Sequence, residues 1–302
     1  MARSYVGIDL NEEGLICCAL RKGQPEVHLL GLHQESLHAA MTFSSREKNV
    51  VDQRRFVDAL RRGVDLLAGR EDRLGLSLPD KIGRVLVTEL QTPFTSHEEG
   101  IDVLKWHLKG DLPASPAEVR LDYQLLERRD GGRMRYLVAV ARKEILDQYE
   151  QLIEEAGRHA VTVGFHSLLF CNYYKKRMDA GEEFLLVGLE EQCVSLQYFR
   201  GGALVYHRVK GGRQTGEAIF SELNRTMADA SRQFPGMQRC PVFTHLDSAQ
   251  PEALLEMLPA LFERETTRLD PHFERLPGRK DAGTILQSGA LVASIAAAES
   301  LM

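Results

Sequence analysis

One glycine-rich segment of this 302-residue sequence has residue types that could bind phosphate. The segment reads Lys210-Gly211-Gly212-Arg213-Gln214-Thr215-Gly216. Glycines allow backbone N–H groups to approach a phosphate, and the lysine and threonine side chains supply further donors. The segment lacks the Gly-Lys-Ser/Thr order of a phosphate-binding loop. The sequence therefore gives little support for phosphate binding at this segment.

Histidine and serine residues are a second set of candidates for chemistry. His159, His166 and His207 could be metal ligands, but no pair has the i,i+4 spacing with a carboxylate that marks a helical metal site. Ser77 and Ser195 lie in predicted strands without the Gly-x-Ser-x-Gly pattern that exposes a serine nucleophile. The sequence predicts no catalytic residue and no metal site.

The cysteines favour a reducing compartment. There are five of them, at Cys17, Cys18, Cys171, Cys193 and Cys240. Adjacent residues on a strand point to opposite faces, so the first two are poorly placed for a disulfide. No CxxC spacing indicates zinc. We therefore expect free thiols and a cytoplasmic location.

Composition argues against a nucleic-acid-binding protein. The net charge is -5 and the isoelectric point is near 6.1, whereas a nucleic-acid binder usually has a basic face. Arg54, Arg55, Arg61 and Arg62 fall on a predicted helix with acidic neighbours and are interpreted as a solvated face. The N-terminus lacks the apolar core of a signal peptide. The C-terminal TILQSGALVASIAAAES is rich in Ala, Ser and Gly and predicts a buried closing helix rather than a membrane span.

The order of predicted elements repeats once along the chain. The first 35 or so residues predict a β-meander of two hairpins, and apolar residues spaced by three and four then predict a helix from Val51. The strands FLLVGL, CVSLQYF and ALVYHRV predict a second meander, followed by a helix over Glu217 to Ala230. This repetition indicates an internal duplication of topology.

A separate α+β stretch, from Ile82 to Gly164, interrupts the first copy. Its pattern predicts strand, helix, strand, strand, helix and strand in that order. The middle two strands are joined by a hairpin loop built on Gly131-Gly132. We expect this stretch to be a subdomain inserted into the larger α/β chain.

The sequence resembles the actin-like ATPase superfamily, and within it the PilM-like proteins of type IV pilus assembly and the related MshI proteins. Two segments of the insertion carry the resemblance: Glu118, Val119, Leu121, Asp122 and Tyr123, then Ala141, Arg142, Lys143 and Glu144. In PilM and FtsA an SHS2-type subdomain is inserted at this position. The resemblance also implies that Lys210 to Gly216 is a strand-to-helix connection, with Thr215 or a neighbour capping the helix.

The resemblance implies an α/β fold, namely a duplicated actin-like (ribonuclease H-like) fold with an inserted SHS2-type subdomain. The expected boundaries are residues 1–81 for the first half, 82–164 for the insertion and 165–183 for the return to the first half. Residues 184–283 would form the second half, and residues 284–302 the closing helix.

The nucleotide motifs that the superfamily uses are altered in this sequence. Gly7 and Asp9 match the Gly-x-Asp of the first phosphate hairpin, but Glu12 and Glu13 follow where hydroxyl groups are expected. A phosphate would meet like charge there. The family's second motif, Asp-x-Gly, falls on Gly188-Leu189-Glu190, and the adenosine loop is represented only by VFTHLDSAQ, which has no glycine. We therefore expect no cofactor and no catalysis. Asp9 is interpreted as a hydrogen-bonding residue of a strand turn. Binding of ATP with Mg²⁺ stays open as the alternative.

The function that the resemblance implies is that of a non-catalytic cytoplasmic scaffold at the inner membrane. Its partner would be a PilN-like membrane protein, whose short N-terminal tail would lie in a groove between the first half and the SHS2-type unit. Association with further copies of the chain is also possible. Two alternatives stay open, an ATP-binding switch with an intact nucleotide cycle and a GspL-like scaffold of type II secretion.

Two aromatic residues of the insertion are candidate partner contacts. Trp106 is the only tryptophan, and Phe94 lies in the loop before the same predicted helix. Exposed aromatic side chains often anchor a partner at an interface. The alternative is that both fill the core of the inserted subdomain, in which case they would contribute to its stability alone.

Overall fold

A computed structural model of the chain describes residues 3–23, 27–69, 71–91, 93–191, 193–212, 215–247, 251–273 and 289–302. Its helices are α1 (Gln53–Ala68), α2 (His97–His107), α3 (Lys143–Glu155), α4 (His166–Lys175), α5 (Gly216–Gln233), α6 (Pro251–Phe262) and α7 (Leu291–Glu299). Three sheets accompany them, two of five strands and one of three strands. The chain is therefore a mixed α/β protein, as the sequence predicts.

The first five-stranded sheet contains the predicted first meander. Its strands are β1 (Ser4–Asn11), β2 (Gly14–Arg21), β3 (His28–Ser36), β4 (Arg73–Leu78) and β8 (His159–Phe165), in the order β3-β2-β1-β4-β8. The three meander strands are antiparallel, and β4 and β8 continue the sheet in parallel. The side chains of β1 and β2 are almost all buried, which is expected of strands in the middle of a packed sheet.

The second five-stranded sheet repeats this order. It contains β9 (Phe184–Glu190), β10 (Cys193–Arg200), β11 (Ala203–Gly211), β12 (Val242–Asp247) and β13 (Thr266–Arg268), arranged as β11-β10-β9-β12-β13. Again three antiparallel strands are followed by two parallel ones. The internal duplication that the sequence indicates is therefore confirmed.

The inserted stretch forms a three-stranded antiparallel sheet. Its strands are β5 (Gly83–Leu90), β6 (Val119–Arg128) and β7 (Met134–Arg142), in the order β5-β7-β6. The buried side chains of Leu121, Tyr136 and Val138 face Leu104 of α2 and make the core of this subdomain. The strand–helix–strand–strand order is the one predicted, while its assignment as an SHS2 domain stays a prediction.

The predicted end of the insertion at residue 164 is wrong. The structure divides into two compact units, and the first contains Met1–Ile82, Glu144–Arg177 and Asp270–Met302. Strand β8 pairs with β4 in the first sheet, with Val163 opposite Leu76. Helix α3 is held in the same unit because the amide of Gln148 bonds the backbone of Asn49 and Val50. The helix and strand at the end of the predicted insertion therefore belong to the first half.

The second compact unit contains Gly83–Lys143 and Met178–Leu269, so it combines the three-stranded sheet with the second five-stranded sheet. Edge strands β5 and β11 lie next to each other within this unit. The predicted boundary at 183 differs from the start of this part of the unit at Met178, and the predicted boundary at 283 lies outside the described residues. Helix α6, which the sequence analysis did not predict, packs Leu254, Leu258 and Phe262 into the core of this unit.

Candidate functional site

Gly7, the first residue of the proposed phosphate motif, lies where helix α7 crosses strand β1. A Cβ atom at this position would overlap the carbonyl oxygen of Ser294 and the backbone nitrogen of Ala298. Gly75 on β4 is equally close to the carbonyl oxygen of Ala297. Both residues must be glycine because the backbone of α7 lies directly on the sheet. Helix packing therefore explains Gly7 without a nucleotide.

Asp9 is buried and forms two contacts at the end of β1. Its Oδ1 atom is 2.8 Å from Nε2 of His166, the first residue of α4, and the Asn11 side chain donates a hydrogen bond of 3.2 Å to Oδ2. A buried carboxylate requires such partners because desolvation is costly. The structure thus accounts for Asp9 as a hydrogen-bonding residue at a strand end, which is the interpretation preferred from the sequence.

The turn between β1 and β2 uses its own backbone donors. The side-chain oxygen of Asn11 accepts hydrogen bonds from the backbone N–H groups of Glu13, at 3.0 Å, and of Gly14, at 3.1 Å. In a phosphate-binding hairpin, backbone N–H groups of this kind point at the ligand. The Glu12 carboxylate lies beside this turn and pairs with Lys81. The first hairpin therefore does not fit an ATP phosphate, since amides are occupied and carboxylates flank the turn.

The second hairpin, between β9 and β10, lacks the acidic residue that the family motif requires. Gly188 stands in the ladder opposite Ser195, and β9 ends at Glu190, where the motif would have glycine. Glu190 and Glu191 bring two more carboxylates to this end of the sheet. The proposed adenosine loop coincides with β12, and its last residues, 248–250, lie outside the described residues. The residues present at this hairpin do not fit ATP with Mg²⁺ either.

The glycine-rich segment after β11 is a strand-to-helix connection. Strand β11 ends at Gly211, and Thr215 is the N-cap of α5, where its hydroxyl accepts a hydrogen bond of 3.3 Å from the backbone N–H of Ala218. Arg213 and Gln214 lie outside the described residues. The capping role expected for Thr215 is confirmed.

An internal carboxylate occupies the start of helix α4. Asp80 is buried and accepts hydrogen bonds from the backbone N–H, at 2.8 Å, and the hydroxyl of Ser167. Helix N-termini attract anions because the first N–H groups lack partners within the helix. The side chain of Asp80 supplies that anion from the protein itself. Residue types alone gave no signal for this contact.

The thiol candidates are buried rather than reactive. All five cysteines are free, as expected. Burial raises the pKa of Cys18 and of Cys171 to about 12, and that of Cys240 to about 11. The thiolate is the nucleophile and metal ligand, so these side chains are held in the inert form. Ser77 and Ser195 are buried within strands, and His159 begins β8 as an exposed residue.

The two aromatic candidates of the insertion have different environments. Phe94 is half-buried and stacks on Tyr136, with ring centroids 4.8 Å apart, and its edge meets Tyr123 at 5.3 Å. Trp106 on α2 is 79% exposed, so the interpretation that it fills the core is wrong. The helix turns Leu104 and Leu108 inward, and Trp106 falls on the opposite side. Trp106 is therefore a surface side chain, whereas Phe94 packs in the core.

An arginine cluster at the tip of the inserted hairpin was missed by sequence reasoning. Arg129, Arg133 and Arg135 gather around Glu89 and Glu127. The sequence RRDGGR predicts only a hairpin loop, although the four arginines among residues 128–135 are a visible signal. Pairing of β5 with β7 places Glu89 directly opposite Arg135, which only the strand register reveals.

None of the helices in the described residues is both long and apolar enough to span a membrane. No protein-family model matches the sequence, and no curated protein sequence matches it.

The structure is nevertheless similar to solved structures over nearly its whole length. A chain of a PilM-PilN type IV pilus biogenesis complex matches with a TM-score of 0.73 and 17% identity, covering 98% of this chain and 97% of that chain. A Bacteroides thetaiotaomicron protein described as having an actin-like ATPase fold matches with a TM-score of 0.55 and 11% identity, over 95% and 96% of the two chains.

The ethanolamine utilization protein EutJ from Carboxydothermus hydrogenoformans gives a TM-score of 0.51 at 10% identity, covering 99% of this chain and 90% of EutJ. Together with the repeated sheet order, these similarities identify the architecture. The chain has a duplicated actin-like ATPase fold that carries a three-stranded insertion.

Proposed function

We propose that this chain is a non-catalytic scaffold of a type IV pilus or related inner-membrane assembly, which binds the cytoplasmic N-terminal tail of a PilN-like membrane protein. The observation that carries the proposal is the first hairpin, where Asn11 takes the backbone donors of the turn. Since Gly7 serves helix packing and Asp9 accepts a hydrogen bond from Asn11 and lies against His166, the motif has structural roles that need no nucleotide.

The proposed partner follows from the similarity to the PilM-PilN complex, which covers both chains almost completely. An extended or helical peptide is recognised mainly by apolar anchors in a groove or on a helix face. A scaffold of this kind works in the cytoplasm and reaches the inner membrane through its partner's tail.

Trp106 is the proposed anchor for this tail. A large aromatic side chain that is 79% exposed leaves apolar surface in water, and burial of such a side chain by a partner is favourable. Val103, one helical turn before Trp106, is half-buried, and Lys109, just after the end of α2, is exposed. Both would form the rest of the contact beside Trp106.

The single tryptophan provides the test. A synthetic N-terminal peptide of the PilN-like protein encoded beside this chain is titrated into the protein, and tryptophan emission is recorded. We expect a shift to shorter wavelength as Trp106 leaves water, and saturation at micromolar peptide. With a fluorescently labelled peptide, Trp106→Ala should weaken binding at least tenfold, because central aromatic anchors contribute about 2 kcal/mol or more.

The matched control is Leu66→Ala, another exposed apolar residue, which is 69% exposed and lies on α1. This variant should bind the peptide like the unmodified protein. Equal weakening by both variants would contradict Trp106 as the anchor. Absence of any peptide binding, together with failure to co-purify the membrane protein, would contradict the scaffold itself.

The competing nucleotide switch is tested by thermal unfolding with ATP and Mg²⁺. A ligand present at a hundred times its dissociation constant stabilises a protein by about 2.7 kcal/mol. We expect no rise in melting temperature at millimolar ATP. A rise that disappears in Asp9→Ala would replace the scaffold proposal by the nucleotide-dependent one.

A further inference from the structure

A cavity of about 500 Å³ lies within the second compact unit, between the inserted sheet and the second five-stranded sheet. The charged residues of its wall are Glu89, Arg129, Arg133, Arg135 and Arg200. Ligand pockets for small molecules usually have volumes of about 300–1,000 Å³. The size of the cavity therefore suits a small organic molecule, and its wall contains four arginines against one glutamate.

Arg135 forms the fixed base of this cluster. It is buried, and its Nε and Nη2 atoms donate to Glu89 Oε1 at 3.1 and 2.7 Å, while Nη1 donates to Glu127 Oε2 at 2.7 Å. Strand pairing places both glutamates opposite Arg135, one on β5 and one on β6. Because all three side chains come from paired strands, the base of the cavity is rigid before any ligand arrives.

The arginines around this base exceed the carboxylates in number. Arg129 donates to Glu89 Oε1 at 2.8 Å, and Arg133 lies 3.9 Å from Glu89 Oε2. Burial raises the pKa of Glu89, but hydrogen bonds from Arg135 and Arg129 outweigh it, so the pKa is lowered and the group stays ionised at neutral pH. Three arginines share two carboxylates, which leaves one positive charge.

Arg200 adds a second positive charge from the opposite wall. It ends β10, and its guanidinium carbon is 5.9 Å from the ring centroid of Phe234. None of the ion pairs among the described residues includes Arg200. The side chain of Arg133 is 54% exposed, and its closest carboxylate contact is a long one. These two arginines therefore keep N–H donors available to an anion.

The remaining wall is mixed, with the polar Thr88 and Gln233 beside three apolar residues. Val87 of β5, Val205 of β11 and Phe234 after α5 line the cavity beside the arginines. Apolar side chains of this kind can pack against a ring or chain of a ligand, while polar groups fix its orientation. The two kinds of wall together indicate a ligand with an anionic group at one end and an apolar or ring-shaped group at the other.

We propose that this cavity is a binding site for a small phosphate-bearing organic molecule, whose phosphate is held by Arg133, Arg200 and Arg129. Guanidinium groups bind phosphate through paired N–H donors, and their planar shape fits two phosphate oxygens at once. None of the described residues that line the cavity lies in the turns of the two hairpins described above, and the positive charge at the site comes from arginine side chains. The site is also independent of the peptide-binding proposal, since Trp106 does not line the cavity.

The first probe is inorganic pyrophosphate, measured by isothermal titration calorimetry in the presence of a metal chelator. We expect saturable one-to-one binding that weakens as the salt concentration rises, because screening reduces the attraction of partly exposed charges. The double variant Arg133→Ala/Arg200→Ala should weaken this binding at least thirtyfold. Arg135 is left unchanged because its loss would expose two buried carboxylates and destabilise the fold.

The control variant Arg54→Ala/Arg268→Ala removes the same net charge from two exposed positions outside the cavity. It should bind pyrophosphate within twofold of the unmodified protein. Equal weakening in both double variants would overturn the proposal, because it would mean that net charge alone attracts the anion. An unmeasurable affinity at millimolar pyrophosphate would overturn it as well.

The second probe separates phosphate from carboxylate recognition. Citrate should bind at least tenfold more weakly than pyrophosphate, and the reverse order would overturn the assignment of phosphate.

GDP without metal should bind more tightly than pyrophosphate, because its base adds contact with the apolar residues of the wall. Phe234→Leu keeps most of the side-chain volume and should reduce the affinity for GDP while leaving that for pyrophosphate unchanged. Loss of both affinities, or of neither, would contradict the proposed apolar end.

Discussion

The two five-stranded sheets have the same strand order but are covered by different kinds of helix. On the first sheet, α7 (LVASIAAAE) lies so close that Gly7 and Gly75 cannot carry a Cβ atom. On the second sheet, α5 and α6 insert larger side chains, including Leu223 and Leu258, against the strands. Close backbone contact packs α7 on the first sheet, whereas interdigitated leucines pack α5 and α6 on the second.

The same strand order can therefore be packed by helices in two ways. A residue that matches a nucleotide-binding motif can also have a structural role. Gly7 belongs to the Gly-x-Asp motif, yet it is required by the helix that crosses the strand. In the described part of the second half, the side chains of α5 and α6 fill the space between helix and sheet. The contact of α7 with its sheet should therefore be most sensitive to added volume, and the contacts of α5 and α6 to removed volume.

The largest expected effect is that of adding one methyl group to the first sheet. Gly7→Ala should lower the free energy of unfolding by about 4 kcal/mol, because the new Cβ overlaps backbone atoms of α7, which cannot rotate away. Gly75→Ala should behave in the same way. Urea denaturation followed by circular dichroism measures both values.

Gly110→Ala is the control for these substitutions, since nothing lies within 4 Å of a Cβ atom at that position. It should change the free energy of unfolding by less than about 0.5 kcal/mol. If Gly7→Ala were as mild as this control, α7 would not lie against β1 as closely as described.

Removal of volume should be the damaging change in the second half. Leu258 of α6 is fully buried in the core of its unit, and Leu258→Ala leaves a cavity that costs about 3 kcal/mol. Leu66→Ala on the exposed face of α1 should cost less than about 0.5 kcal/mol. The same denaturation experiment compares the two variants, and similar losses would argue against leucine packing as the basis of this half.

The third strands of the two meanders also differ, because β11 lies beside β5, whereas β3 is the end strand of its sheet in the described residues. Burial lowers the pKa of His207 on β11 to about 4, and a hydrogen bond to the backbone of Val85 opposes this only in part. In the unfolded chain a histidine titrates near pH 6.5. Between these values the unfolded state binds a proton that the folded state does not, so stability falls as the pH falls from about 7 to about 4.

At full burial a shift of this size corresponds to about 3 kcal/mol, and partial exposure of the ring reduces the expected loss to about 2 kcal/mol. His207→Gln should therefore lose less stability than the unmodified protein as the pH falls over this interval. Above pH 7 the difference in stability between the two proteins should stay constant. Urea midpoints measured from pH 4 to 8 test the prediction. Parallel curves for the two proteins would show that His207 titrates normally in the folded state.

Sequence periodicity was enough to predict both meanders, because alternating and continuous apolar runs are local features. It could not assign β8 to the first sheet, since the partner strand β4 lies far away in sequence. The predicted insertion therefore ended about twenty residues too late. Helix α6 was overlooked although its residues are strongly apolar, and its packing became evident only with the second sheet in place.

The candidate site shows the same limit. Residue types identified Gly7 and Asp9, but the reasons for both residues lie in α7 and α4, which approach from distant parts of the chain. The exposure of Trp106 depends on which face α2 turns to the sheet, and a helix with a weakly amphipathic pattern leaves that undetermined. The environments of these residues are set by contacts between segments that are distant in sequence, and a local sequence pattern carries no information about such contacts.

The smallest effects should come from the helices that follow each meander, where the two halves use the same local device. Asp52 caps α1 by accepting a hydrogen bond of 3.0 Å from the backbone N–H of Arg55, and Thr215 caps α5 in the same way. Asp52→Ala and Thr215→Ala should each cost about 1 kcal/mol, because each leaves a helix N–H group without its side-chain acceptor. Asp52→Asn and Thr215→Ser keep that acceptor and should stay within about 0.5 kcal/mol of the unmodified protein. Equal losses of stability in the two alanine variants would show that the similarity between the two halves extends to helix capping. A loss in only one of the variants would limit that similarity to the strand order.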